Sequence, residues 1–102
     1  MTELEAQLLL FKLNNTNEEL EQIDLEDTTI KDMLDSNSIF IIVDPYDKNI
    51  WIWNGKKANV RLKFIASQKA PYIRDSHGID FRIRSVDEDE ESEEFKNFLN
   101  LI

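Results

Sequence analysis

Ile39-Phe40-Ile41-Ile42-Val43 and, six residues later, Ile50-Trp51-Ile52-Trp53 decide how this 102-residue chain folds. Both runs are β-branched and aromatic without a break. A strand with one wet face alternates apolar and polar residues; a strand that does not alternate has both faces in the interior. The intervening Asp44-Pro45-Tyr46-Asp47-Lys48-Asn49 is turn chemistry, because proline presets φ while Asp and Asn bond their own backbone. The two runs therefore read as a hairpin in the middle of a sheet covered on both faces. Asn54-Gly55 ends the second strand.

Working outward, residues 7–13 (Gln-Leu-Leu-Leu-Phe-Lys-Leu) are short, apolar and stopped by Asn14-Asn15, which favours a strand. Residues 18–26 predict a second, weak strand, and residues 28–34 a loop or short helical turn. Ala58 to Arg74 has helical periodicity. Ala58, Leu62, Ile65, Ala66 and Ile73 fall within about 60° of one direction on a helical wheel. Asp75-Ser76-His77-Gly78 reads as its stop, and Pro71 is expected to kink the helix or end its regular part. Residues 80–85 alternate Phe81 and Ile83 with Arg82 and Arg84, as a half-buried strand near an edge does. Residues 86–91 read as a solvated acidic loop. Residues 93–101 carry Phe95, Phe98, Leu99 and Leu101 with acids in the first turn, where the helix dipole favours them. The order predicts one α+β domain over residues 1–102, a central sheet with a helix on each face.

Bulk features narrow the function. The formal charge is −9, which argues against general nucleic-acid or anionic-membrane binding. That charge is segmented. Residues 1–35 hold ten acids and two bases, residues 36–85 four acids and nine bases, and residues 86–102 seven acids and one base. A basic middle thus separates two acidic ends. There is no cysteine, so disulfides, thiol nucleophiles and cysteine metal sites are absent. The start lacks the basic region of a signal peptide, and residues 39–43 are too short to span a bilayer; the expected location is cytoplasmic. The single histidine, His77, reads as a solvent-exposed turn residue, and neither a phosphate-binding loop nor a nucleophile elbow accompanies it. No enzyme activity is expected.

The stretch from Leu34 to Val43, followed by Asn49-Ile50-Trp51-Ile52-Trp53-Asn54-Gly55-Lys56-Lys57-Ala58-Asn59, resembles a gelsolin-like domain of the gelsolin/villin superfamily. Such domains show a similar order: a polar turn, an apolar strand, a tight hairpin, then a strand ending in Trp-x-Gly-x-x-Ala/Ser. The resemblance covers roughly residues 6–101. It implies a mixed sheet of five or six strands between one long and one short helix. The single-domain length also resembles the minimal gelsolin-like proteins of Asgard archaea.

Actin is the partner that the resemblance implies, bound as monomer or along a filament by a monomeric module. In several domains of the family the long helix docks into a cleft of actin, and efficient severing takes two linked domains. Here Val60, Phe64, Ser67 and Pro71 lie within about 40° of the direction opposite the core stripe, flanked by Arg61, Lys63, Gln68 and Arg74. An apolar centre with a basic and polar rim suits docking on an acidic protein. The alternative is a protein-interaction module of the same type with another partner, such as a vesicle coat or a small GTPase. Calcium is where the chain departs from the family pattern. The positions of the intradomain carboxylates hold Ser38 and Val60, so that site is expected to be degenerate; calcium stays open as a ligand shared with a partner, and no other cofactor is expected.

Overall fold

The computed structural model describes residues 8–102, so Gln7, the expected start of the first strand, lies outside the described residues. The elements are β1 (Leu9–Leu13), β2 (Leu20–Ile23), α1 (Ile30–Met33), β3 (Ile39–Asp44), β4 (Asn49–Asn54), α2 (Val60–His77), β5 (Arg82–Asp87) and α3 (Glu93–Leu101). The strands form a five-stranded sheet in the order β2-β1-β3-β4-β5. Only the β4–β5 pairing is parallel, so the sheet is mixed.

The two continuous apolar runs are the central strands, and every residue of both is buried. Successive side chains of a strand point to opposite faces. Ile39, Ile41, Val43, Ile50 and Ile52 accordingly enter one core with Leu62, Ala66 and Ala70 of α2. Phe40, Ile42, Trp51 and Trp53 enter a second core with Phe95 and Phe98 of α3. The sheet is thus sandwiched between a long and a short helix.

Trp51 organises the second core. Its ring meets Phe95 edge-on at 5.1 Å between centroids and lies nearly parallel to Phe98 at 6.4 Å. The Arg84 guanidinium covers it at 4.7 Å and is itself gripped by both oxygens of Glu94, at 2.7 and 2.8 Å. That grip holds the Glu94 carboxyl below its ordinary value. The pair fastens the edge strand β5 to the first turn of α3. Ser92 caps α3 by accepting from the Phe95 N–H at 3.2 Å.

Gly55 marks where backbone approaches backbone. A Cβ there would lie 2.6 Å from the Ser38 carbonyl oxygen and nearer still to that of Ser36. The close approach is held by two hydrogen bonds, Gly55 N–H to Ser38 O (2.9 Å) and Lys57 N–H to Ser36 O (2.8 Å). The glycine of the Trp-x-Gly element is therefore fixed by sterics.

Several local expectations are corrected. The weak strand is only Leu20–Ile23, because Glu18 adopts φ 60° in the turn that leads into it. The strand expected over 80–85 runs to Asp87, and Val86, assigned to a loop, is its last inward residue. Helix α2 starts at Val60, capped by the Asn59 side chain on Leu62 N–H (3.1 Å), and runs three residues beyond Arg74. Pro71 does not end it. Proline removes the N–H that would bond the Ser67 carbonyl, and Ser67 is an exposed residue, so water can take that place. Only Gly78 stops the helix, at φ 150°, donating its N–H to Arg74 O at 2.7 Å. His77 is consequently no turn residue. It sits half-buried in the last turn of α2, 6.1 Å from the Phe81 ring.

Candidate functional site

Helix α2 gives its small and branched residues to the core and leaves a different set outside. Val60 is 78% exposed and Phe64 62% exposed. Ser67 is exposed beside them and Pro71 half-exposed one turn on, so the structure brings the four stripe residues together on the outward face. Ser67 turns its hydroxyl onto the Phe64 carbonyl at 2.7 Å, which leaves the patch without an outward polar group at that point. Burying an exposed phenylalanine is worth about 1.5–3 kcal/mol, so this face is costly to leave wet and favourable to cover. Gln68 is exposed, and Lys63 and Arg74 are half-exposed at the flanks.

The basic rim is less basic than its sequence. The β1–β2 turn lies alongside α2, and Glu18 takes the Arg61 guanidinium with both oxygens, at 2.6 and 3.1 Å. The bonded guanidinium lowers the Glu18 pKa, and the carboxylate raises that of Arg61. Glu19 approaches Lys69 at 3.6 Å, and Arg74 is 3.3 Å from its neighbour Asp75. Elsewhere Lys48 pairs with Asp80, Lys56 with Asp89 and Arg84 with Glu94. Six of the nine bases of the middle segment are thus matched by acids, four of them from the two acidic ends. The basic middle is largely matched within the fold, and the stripe's distinctive feature is apolar.

The acidic segment 86–91 keeps Asp87, Asp89 and Glu90 exposed, as a solvated loop does, but it is also bonded to the fold. Glu88 accepts from Ser36 Oγ (2.8 Å) and from the Lys56 backbone N–H (2.9 Å). Glu91 accepts from Trp53 Nε1 at 3.0 Å, and Asp87 from Asn54 Nδ2 at 3.1 Å. These carboxylates clasp the turn before β3 to the turn after β4. They leave the long helix uncovered.

At the positions of the expected calcium carboxylates, Ser38 is buried and Val60 points to solvent. Among the described residues no group of three or more His, Asp or Glu side chains is placed to hold a metal ion. No described helix is long and apolar enough to cross a membrane.

Two exposed aromatic or apolar groups near this site are ones the sequence pattern did not flag. Tyr72 is 75% exposed on the α2 flank that faces the β1–β2 turn, above a groove of about 680 Å³ lined by Glu18, Arg61, Ile65 and Lys69. Ile79, just past the helix, is 86% exposed. Extending the helical wheel past Phe64 locates Tyr72, which lies about 80° from it.

No protein-family model matches the sequence, and no curated protein matches it. Solved structures do. The Thorarchaeota ProGel, crystallised in complex with rabbit actin, superposes with a TM-score of 0.79 at 20% identity, over 91% of this chain and 99% of that chain. The fold is that of a gelsolin-like domain. The Thorarchaeota 2DGel3, also crystallised in complex with rabbit actin, gives a TM-score of 0.70 at 25% identity over 96% of this chain. This gelsolin-like domain spans about half of that second protein, 49% of its length. The likeness to Asgard forms expected from the sequence is therefore the one found.

Proposed function

We propose that this gelsolin-like domain is an actin-binding module that regulates actin assembly, docking the outward face of α2. The observation that carries the reading is the stripe of Val60, Phe64, Ser67 and Pro71 left exposed on the long helix. Two structurally similar chains, ProGel and 2DGel3, were crystallised with actin, which supports the choice of partner. Binding is by apolar burial, with Lys63, Gln68 and Arg74 as a polar margin and Arg61 already engaged by Glu18. One domain offers one such helix, so the function is binding at a monomer or filament side without efficient severing. It needs no catalytic group.

Pyrene-actin polymerisation and co-sedimentation with the intact chain test this reading. The expected result is a concentration-dependent change in polymerisation and co-pelleting or monomer retention. No effect in either assay would overturn it in favour of a partner other than actin.

Calcium dependence is expected to be weak. Ser38 and Val60 bring no carboxylate to the positions where the family places them, and calcium requires several hard oxygens. Calorimetric titration of the domain alone should show no site of micromolar affinity. A micromolar site would contradict the assignment of these positions.

A further inference from the structure

We infer that the docking surface continues past α2 onto a second apolar anchor, formed by Ile79 of the α2–β5 loop and Tyr46 of the β3–β4 turn. This rests on the actin reading and names a further part of the same site.

The distribution of exposed apolar groups carries the inference. Among the described residues six large apolar side chains are conspicuously exposed: Tyr46, Val60, Phe64, Tyr72, Ile79 and Leu101. Single exposed apolar residues are ordinary on any protein surface. Here five of the six belong to α2 or to the two loops at its C-terminal end, and only Leu101 lies on α3.

Topology puts the two loops together. β5 runs parallel to β4, with Arg82 opposite Asn49. The chain therefore enters β5 at the sheet end where the β3–β4 turn lies, and α2 must end there too. Lys48 of the turn pairs with Asp80 of the loop at 2.6 Å, and the Arg82 N–H donates to Lys48 O at 2.9 Å. The ion pair joins the two loops one residue from Ile79 and two from Tyr46, and the Arg82 bond ties the turn to the start of β5. Each loop is also fixed on its own account. Asp44, fully buried, accepts from the Tyr46 and Asp47 N–H groups at 2.9 and 3.3 Å. The Phe81 N–H donates to Gly78 O at 3.1 Å, bracketing Ile79. Loop backbones fixed this way lose little freedom when a partner covers Ile79 and Tyr46, which is what makes an anchor effective.

The helix rises about 1.5 Å per residue, so Val60 and the end of α2 are separated by about 25 Å. A partner gripping both ends would meet Val60 and Phe64 at one and Ile79 with Tyr46 at the other. Between the two ends the outward face carries Ser67 and Pro71, and then Asp75 one turn further on, exposed beside Arg74.

Two variants, Ile79→Asp and Tyr46→Ser, test this in titrations of labelled actin monomer, with Phe64→Asp and the α3 variant Leu101→Asp measured beside them. Ile79 is exposed, so its variant should keep the wild-type circular dichroism spectrum and thermal midpoint. The expected result is at least about tenfold weaker binding for Ile79→Asp, a smaller loss for Tyr46→Ser, and no change for Leu101→Asp. Weakened binding by Phe64→Asp with wild-type binding by Ile79→Asp would overturn the second anchor alone. Equal weakening by Leu101→Asp and Ile79→Asp would overturn it as well, since the effect would then be general charge repulsion. Absence of binding by the wild-type chain would overturn the actin reading and the anchor with it.

Discussion

Replacing Gly55 by alanine is expected to cost the domain about 3 kcal/mol, a large share of the stability of a chain this size. The added methyl would sit 2.6 Å from the Ser38 oxygen and nearer still to that of Ser36. Both obstacles are backbone, so no side chain can swing away. Relief requires lifting the strand end from the turn, which loosens the Gly55–Ser38 and Lys57–Ser36 hydrogen bonds. It would also pull Glu88 away from Ser36 Oγ and the Lys56 N–H. Each kcal/mol shifts the midpoint of a domain of this length by about 4–8 °C, so thermal unfolding should move down by more than about 10 °C. A midpoint within about 3 °C of wild type would show that the turn does not need this glycine.

Trp51→Ala is expected to be as damaging, at about 3–5 kcal/mol. The indole is 1% exposed and is the common neighbour of Phe95, Phe98 and Arg84. Its loss opens a cavity between sheet and α3 and removes the surface on which Arg84 lies. The Nε1–H that reaches Asp44 at 3.4 Å goes too, but Asp44 keeps the Tyr46 and Asp47 N–H groups, so packing dominates the cost. Trp51→Phe retains an aromatic contact for α3 and should lose less than half as much. Urea unfolding with both variants measures the difference. An alanine variant within about 1 kcal/mol of wild type would contradict the packing role assigned to Trp51.

Features of this fold are legible in the sequence to the extent that their signal is local. The central hairpin is legible because a continuous apolar run has one physical explanation, burial on both faces, and both cores bear it out through the alternation of Ile50 and Ile52 with Trp51 and Trp53. The outward stripe of α2 is legible for a similar reason, since Val60 and Phe64 oppose the residues the core needs. Three features are not. The end of α2 is hidden because Pro71 usually signals a break, and only the tertiary setting shows it half-exposed with Ser67 exposed one turn before it. The basic rim looks stronger than it is because the partners of Arg61 and Lys69 are Glu18 and Glu19, more than forty residues away in sequence. The acidic segment looks solvated because a run of acids carries no sign of Ser36, Trp53 and Lys56, the groups it binds.

These non-local pairings change the electrostatic picture of recognition. A surface whose bases are mostly neutralised internally attracts an acidic partner weakly, and exposed ion pairs of this kind contribute little to stability. On the proposed reading the affinity comes from the apolar stripe, and binding is expected to depend on salt only mildly.

The most direct measurement is an equilibrium titration of fluorescently labelled actin monomer with the wild-type chain and with Phe64→Asp. Phe64 is 62% exposed and lies outside both cores, so the substitution should leave the fold and its thermal midpoint unchanged. The expected result is saturable binding by wild type and a loss of at least about tenfold in the folded variant, from removing the buried ring and placing a charge in an apolar contact. Equal affinity of the two proteins would contradict docking through α2, and no binding by either would contradict actin as the partner.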